Sequence, residues 1–153
     1  MLSRAEIVDE LLAIEPHLAR LAAVADRADV DTVEALTRDP NARIRANAIT
    51  LMSLIDPPSF WRLLPQALDD PEVLVRMQSV RSLENFAAEE LEQNAQMVAR
   101  ALGDADSGIR KFSARAVANL TAAPVRQALE NMAASDRESF VRDEAARALR
   151  SAR

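Results

Sequence analysis

The sequence has no cysteine, no tyrosine, a single histidine and only two glycines in 153 residues. Without cysteine there are no disulfides and no thiol nucleophile, and one histidine cannot form a histidine cluster for a metal ion. Two glycines do not supply a glycine-rich phosphate-binding loop. We therefore expect no metal site, no bound cofactor and no catalysis that depends on these groups.

Long hydrophobic runs are missing as well. No stretch approaches the roughly 18 uninterrupted apolar residues of a membrane helix, and the N-terminal residues lack the basic segment and apolar run of a secretory signal. Nineteen basic residues against 24 acidic ones give a net charge of -5, which disfavours non-specific attraction to nucleic acid or anionic lipid. These features predict a chain that stays off membranes and is located in the cytoplasm.

What the sequence does contain is a fourfold repeat. Each copy carries an aspartate and, six residues later, an arginine that follows isoleucine or valine. The aspartates are 31, 34 and 32 residues apart. The four pairs are Asp39 with Arg45, Asp70 with Arg76, Asp104 with Arg110, and Asp136 with Arg142. Self-similarity at this kind of spacing is typical of solenoid proteins.

Each of these arginines opens an amphipathic helix. Counted from the arginine, small or apolar residues recur at offsets -1, +3, +4, +7 and +10, which form one stripe of a helix with 3.6 residues per turn. A second helical pattern precedes each aspartate, and turn-forming residues separate the pieces. No run alternates with the period of a strand, and aromatic residues make up only 3%, so an all-α chain is predicted.

A helix pair of this size cannot bury its apolar stripe alone, so the pairs must stack on one another. The N-terminal segment fits capping helices: Ser3 and Glu6 form a capping box, and Pro16 suits the first turn of a second helix. We expect a single α-solenoid domain over residues 1–153. Its predicted parts are capping helices at 1–28 and helix pairs at 29–55, 59–88, 89–121 and 124–153.

The second copy resembles the repeats of the HEAT-repeat family, in the version called HEAT-like or phycobilisome-lyase-type repeats. The matching residues are Leu63-Leu64-Pro65, Leu68, Asp70-Pro71, Val75-Arg76, Ser79-Val80 and Leu83. The family pattern places a proline in the first helix, an aspartate in the turn and Val-Arg at the start of the second helix, and the other copies lack the proline. The resemblance covers about residues 30–153 and implies a right-handed superhelix whose second helices line its concave side.

The resemblance also implies a ladder in which these aspartates and arginines bond between adjacent copies. An aspartate that caps the second helix accepts hydrogen bonds from free backbone N–H groups, and a guanidinium bridges its remaining lone pairs to a neighbouring turn. We therefore interpret the recurrent pairs as structural rather than catalytic. The ladder residues are Asp39, Asp70, Asp104, Asp136, Arg45, Arg76, Arg110 and Arg142.

The sequence shows no catalytic constellation. His17, the only imidazole, is expected to be an exposed residue at a helix start, with no second metal ligand at helical spacing. Residues 104–108 look like a calcium loop, but the glycine is one place early and the distal glutamate is missing. Because no nucleophile, base and orienting group occur together, we predict that the protein is not an enzyme.

The surface opposite the buried stripe is the predicted binding site. On the second helices this surface is centred on offset +5 from each arginine, and arginine and exposed aromatic residues are favoured anchors of protein interfaces. The predicted partner-binding residues are Thr50, Met77, Arg81, Lys111, Phe112, Arg115 and Arg147. Three acidic residues lie on the same predicted surface, at Glu84, Asp143 and Glu144. An ordinary solvated face is the alternative interpretation of the same residues.

Three functions remain as alternatives. The favoured one is a noncatalytic scaffold or adaptor that binds an acidic protein partner on the concave, second-helix face. The second is a nucleic-acid binder similar to HEAT-like alkylation-repair glycosylases, which the negative net charge and the three acidic residues of the predicted surface disfavour. The third is a pigment chaperone similar to phycobilin lyases, although the residues give no indication of a tetrapyrrole site.

Overall fold

The computed structural model describes residues 1–13 and 15–151. These residues form eleven α-helices and one short 3-10 helix, and they contain no strand. The chain divides into two compact units, unit 1 over residues 1–85 and unit 2 over residues 86–153. The predicted fold class, an all-α solenoid of helix pairs with N-terminal capping helices, is confirmed. The single domain over residues 1–153 stays a prediction.

Unit 1 contains the capping helices and the first two helix pairs. Its helices are α1 (Arg4–Leu12), α2 (Leu18–Val24), α3 (Arg27–Leu36), α4 (Ala42–Ile55), α5 (Pro57–Leu68) and α6 (Val73–Arg81), and the 3-10 helix continues α6 over Ser82–Asn85. The second helices of the two pairs, α4 and α6, pack against each other. The capping helices α1 and α2 both pack against α4, so α4 is the centre of the unit.

Unit 2 contains the third and fourth copies. Its helices are α7 (Ala88–Gln93), α8 (Ala95–Ala101), α9 (Ser107–Ala116), α10 (Ala123–Ser135) and α11 (Ser139–Ser151). As in unit 1, the second helices α9 and α11 pack against each other, while α10 packs against α8 and α11. The predicted fourth copy extends to residue 153, and residues 152–153 lie outside the described part of the chain.

The first helix of the third copy, which the repeat predicts as one helical pattern before Asp104, is divided into two short helices. The break is at Asn94, whose backbone has φ -106° and ψ 23°. Its side-chain amide donates to the carbonyl of Glu90 at 2.9 Å, and asparagine side chains compete with helix backbone groups in this way. A single polar residue thus interrupts an otherwise continuous helical pattern.

The N-terminal capping signals have two different outcomes. The capping box is confirmed: Ser3 Oγ accepts from the N–H of Glu6 at 3.2 Å, and the Glu6 carboxylate accepts from the N–H of Ser3 at 2.8 Å. Pro16 precedes α2 instead of lying in its first turn, because His17 is the N-cap. His17 is exposed, as predicted, and its backbone N–H donates to the carboxylate of Glu10.

The predicted apolar stripe of the second helices lies in the cores of the two units. Offsets -1 and +3 are buried in every copy, at Ile44, Ala48, Val75, Ser79, Ile109, Ser113, Val141 and Ala145. The hydroxyls of Ser79 and Ser113 each donate, at 2.8 Å, to the carbonyl four residues earlier. Their burial is therefore compatible with a core, because a buried hydroxyl is costly only when it lacks a hydrogen-bond partner.

The aromatic pair at the start of α5 belongs to the core of unit 1. Phe60 is fully buried, Trp61 is nearly so, and their rings meet edge to face with centroids 5.4 Å apart. Edge-to-face contact suits the positive edge and negative face of aromatic rings. The sequence-based interpretation of these residues as core rather than as a ligand platform agrees with their burial.

Candidate functional site

Two of the recurrent arginines form two-pronged ion pairs with the aspartate of the next copy. In unit 1, Nε and Nη2 of Arg45 donate to the carboxylate of Asp70, each at 2.9 Å. In unit 2, the same atoms of Arg110 donate to Asp136 at 2.8 and 3.0 Å. Both side chains of the second pair are only 8% exposed. Forked, charge-assisted bonds of this kind are among the strongest polar contacts in proteins.

The third nitrogen of the guanidinium closes the turn of its own copy. In every copy Nη1 donates to the backbone carbonyl of the aspartate six residues earlier, at distances of 2.6 to 3.0 Å. The pairs are Arg45 with Asp39, Arg76 with Asp70, Arg110 with Asp104, and Arg142 with Asp136. At Arg45 and Arg110, one side chain therefore fixes both the local turn and the spacing to the following copy.

The aspartates do not cap the second helices, and that part of the sequence-based prediction is wrong. Each carboxylate accepts from the N–H two residues later, at 2.8 to 3.0 Å. In the first three copies that later residue is the N-cap, at Asn41, Glu72 and Asp106. The aspartate thus forms an Asx-turn ahead of the helix, a position from which its carboxylate can also face the preceding copy.

Both paired aspartates are stabilised in their charged form. Hydrogen bonds from Arg110 lower the pKa of Asp136 and outweigh the opposing effect of burial. Burial is the largest influence on Asp70 and raises its pKa, but the hydrogen bonds from Arg45 and from the N–H of Glu72 together bring that pKa below its ordinary value. Carboxylates with lowered pKa values are poor proton donors near neutral pH, which favours a structural role for these pairs.

The lowered pKa values predict that the free energy of unfolding falls in acid. An aspartate of unfolded pKa about 3.9 whose folded pKa is lower stabilises the fold above that value, and this stabilisation is lost as the pH falls through the folded pKa. Urea unfolding measured from about pH 5 down to pH 2 should show the decline. The double variant Asp70→Asn with Asp136→Asn should decline less steeply, and parallel curves for the two proteins would contradict the lowered pKa values.

On the second-helix face of unit 1, the predicted residues differ in exposure. Arg81 is exposed and forms no ion pair within the described residues, whereas Thr50 and Met77 are half-buried. The hydroxyl of Thr50 donates to the carbonyl of Ala46 at 3.2 Å and accepts from the hydroxyl of Ser82 at 3.1 Å. The Thr50 hydroxyl is therefore already engaged inside the unit, and of these three predicted residues Arg81 is the one that is exposed to solvent.

A groove of about 410 Å³ lies on this face of unit 1. The connection between α1 and α2 contributes Ala13 and Pro16 to its lining, and α4 contributes Arg43 and Thr50. Residues of α6 and the 3-10 helix that line it are Leu74, Gln78, Arg81, Ser82, Glu84 and Asn85. The groove therefore combines apolar, amide and cationic groups, as small ligand or peptide sites commonly do.

The second-helix face of unit 2 presents three exposed cations, at Lys111, Arg115 and Arg147. The guanidinium of Arg115 lies 5.3 Å from the ring centroid of Phe112, which is half-buried. The ammonium group of Lys111 lies 5.9 Å from the ring centroid of Phe140. Both distances fall within the range of cation–π attraction, so two of the cations are held over aromatic rings.

Phe140 is a surface residue that the sequence analysis missed. Its side chain is 43% exposed, and it precedes Arg142 by two positions. The same offset holds Leu74 in the second copy, which is also 43% exposed. This offset belongs neither to the buried stripe nor to the surface opposite to it, and its large apolar residue in the second and fourth copies is the signal in the sequence.

One of the acidic residues predicted for this face is buried instead. Glu144 lies inside unit 2, with its carboxylate 3.3 Å from Nη1 of Arg147. Asn47, at the same offset in α4, is also buried, so this position belongs to the edge of the packed surface. Glu84 and Asp143 are exposed, as expected. Glu144 therefore offsets the charge of Arg147, and Lys111 and Arg115 are the predicted cations of this face that form no ion pair within the described residues.

The described residues contain no group of three or more histidines, aspartates or glutamates placed to bind a metal ion. Among the same residues, no helix combines the length and the apolar character that crossing a membrane requires.

The repeat architecture has a direct counterpart among known families. A family profile described as HEAT repeats matches residues 62–150, which is more than half of the chain. A search of curated proteins gives no significant match. The match begins within α5 and ends within α11, so it covers the second, third and fourth copies, in which the aspartate and arginine positions recur with helices in the expected order. The chain belongs to the HEAT-repeat family.

Proposed function

We propose that this protein is a noncatalytic interaction module whose second-helix face binds an acidic segment of a protein partner. HEAT repeats are generally scaffolds for protein interactions. The observation that carries the finer proposal is the face of unit 2, where Lys111 and Arg115 are exposed and form no ion pair within the described residues. Each of them instead lies over an aromatic ring.

A cation that lies over an aromatic ring is preorganised to bind a carboxylate. The ring restricts the side chain without neutralising its charge, so less conformational entropy is lost when a partner binds. Arg115 retains its planar fork for two parallel hydrogen bonds to a carboxylate. The exposed ring of Phe140 adds apolar area beside the cations, which suits a partner segment with both acidic and apolar side chains.

The experiment compares partner binding by the wild type and by the double variant Lys111→Glu with Arg115→Glu. Proteins retained from a native lysate by the immobilised wild type should be identified, and the principal one purified and titrated. We expect the double variant to bind it at least about tenfold more weakly, since a charge-assisted hydrogen bond contributes about 1.5–3 kcal/mol. Thermal unfolding should change little, because exposed substitutions usually cost no more than about 0.5 kcal/mol each.

Arg4→Glu is the matched control, because Arg4 is an exposed arginine on α1 of unit 1. The control replaces one basic residue by glutamate, whereas the double variant replaces two. It should bind the partner as tightly as the wild type does. Equal binding by the double variant and the control would contradict the proposed face. Tight binding of an oligonucleotide that weakens steeply with salt would instead favour the nucleic-acid alternative.

A further inference from the structure

We infer that the groove on unit 1 is a separate recognition site for an extended peptide segment in which an apolar side chain lies two residues from an aspartate or glutamate. The inference rests on the proposed function in one respect, namely that the partner is an acidic protein. Its residues are different from those of the proposed face on unit 2. Leu74, Gln78 and Arg81 on α6 line the groove, and we call these three residues the α6 row.

The charge of the groove is opposite to that of its surroundings. Unit 1 holds nine arginines against fourteen aspartates and glutamates, yet the groove lining includes Arg43 and Arg81 against a single carboxylate, Glu84. Within the described residues Arg81 forms no ion pair, and Arg43 reaches only the carbonyl of Leu12, at 3.4 Å. Each of these weakly engaged guanidinium groups is available to a carboxylate in the groove, and Arg81 is the one that belongs to the α6 row.

The spacing of the α6 row fits a short extended segment. Residues three or four positions apart share one face of a helix. With a rise of about 1.5 Å per residue, Leu74 and Arg81 are separated by about 10 Å along the axis. An extended chain advances about 3.3 Å per residue and places alternate side chains on the same face, so two side chains that are two positions apart start about 7 Å from each other. The long side chains of Arg81 and of a glutamate close the remaining gap of roughly 3 Å.

The chemistry along the row sets the order of groups in the ligand. Leu74 is 43% exposed and provides an apolar contact at one end, while Arg81 provides the cation at the other. Gln78 lies between them, and its side-chain amide forms no hydrogen bond within the described residues. A primary amide both donates and accepts, which matches the alternating N–H and C=O groups of an extended backbone.

The probe is the peptide acetyl-(Ser-Leu-Ser-Glu)₂-amide, titrated into the isotope-labelled full chain and followed by NMR. We expect the largest shifts at the side-chain signals of Gln78, Asn85 and Arg81. A matched peptide with glutamine in place of glutamate should bind about tenfold more weakly, which corresponds to about 1.4 kcal/mol. Arg81→Glu should weaken binding of the glutamate peptide to a similar extent, and Arg4→Glu should leave it unchanged.

The inference is overturned if the glutamate and glutamine peptides bind equally, if Arg81→Glu binds like the wild type, or if the shifts lie in unit 2. It is also overturned if an oligonucleotide produces the same groove shifts more strongly than the peptide. Because Arg81 is exposed, the thermal unfolding of its variant should match that of the wild type. Failure of the Lys111 and Arg115 experiment would leave these results unaffected, so the two proposals fail separately.

Discussion

Replacement of Arg110 by alanine is expected to lower the free energy of unfolding by about 3–5 kcal/mol, the cost of removing one partner from a buried ion pair. The variant leaves the carboxylate of Asp136, whose side chain is only 8% exposed, without its main partner. It also removes the bonds from Nη1 to the carbonyls of Asp104 and Ala105. Urea unfolding followed by circular dichroism measures the loss.

Two further variants distinguish the energetic contribution of the ion pair from the general effect of replacing an arginine on this helix. Arg115→Ala, an exposed site on the same helix, should change the free energy by less than about 0.5 kcal/mol. The double variant Arg110→Met with Asp136→Leu removes both charges and should regain much of the loss, since well-packed apolar residues often replace a buried pair without penalty. A loss below about 1 kcal/mol for Arg110→Ala would refute the structural role of the pair.

Replacement of Phe60 by alanine should also cost about 3–5 kcal/mol. Phe60 is fully buried, and its ring lies against Trp61 with centroids 5.4 Å apart. The truncation removes apolar area and an aromatic contact, and it leaves a cavity that the surrounding helices cannot fully close. Trp61 is the only tryptophan in the sequence, so its fluorescence during urea unfolding reports directly on this part of unit 1.

Gln66→Ala is the control for this variant, because Gln66 is exposed on the same helix. Alanine has a high helix propensity, so this change should be nearly neutral. Similar unfolding curves for the Phe60 and Gln66 variants would mean that the aromatic pair contributes little to the core. A wild-type emission spectrum in native Phe60→Ala would argue that the ring contact is absent in solution.

The sequence predicts the helices and their buried faces well because both depend on local periodicity. The recurrence of Ile44, Val75, Ile109 and Val141 one position before each arginine was enough to orient four helices. The repeat spacing identified which aspartate and arginine belong to successive copies. Helical periodicity is a property of one segment, and the repeat spacing is found by comparing one copy with the next. Both can therefore be read from a single sequence.

The surface was harder to predict, because exposure depends on what packs nearby. Glu144 has a charged side chain at a position expected to face solvent, yet it is buried beside Arg147. Phe140 has a large apolar side chain that remains partly exposed next to Lys111. Asn94 interrupts a helical pattern through a bond to its own backbone neighbour. Each outcome depends on a contact that hydrophobic periodicity does not encode.

The double use of the arginine fork also bears on how such a chain can lengthen or shorten. Arg45 and Arg110 each bind their own turn through Nη1 and the aspartate of the following copy through Nε and Nη2. A gene segment that begins in the turn of one copy and ends at the equivalent point of the next turn encodes one aspartate and one arginine of the recurrent set. When such a segment is inserted between two copies, its aspartate meets the arginine before it and its arginine meets the aspartate after it. Duplication or deletion of a whole copy would therefore restore an arginine–aspartate ion pair without a compensating mutation. The turn is accordingly a suitable place to join repeats in an engineered protein.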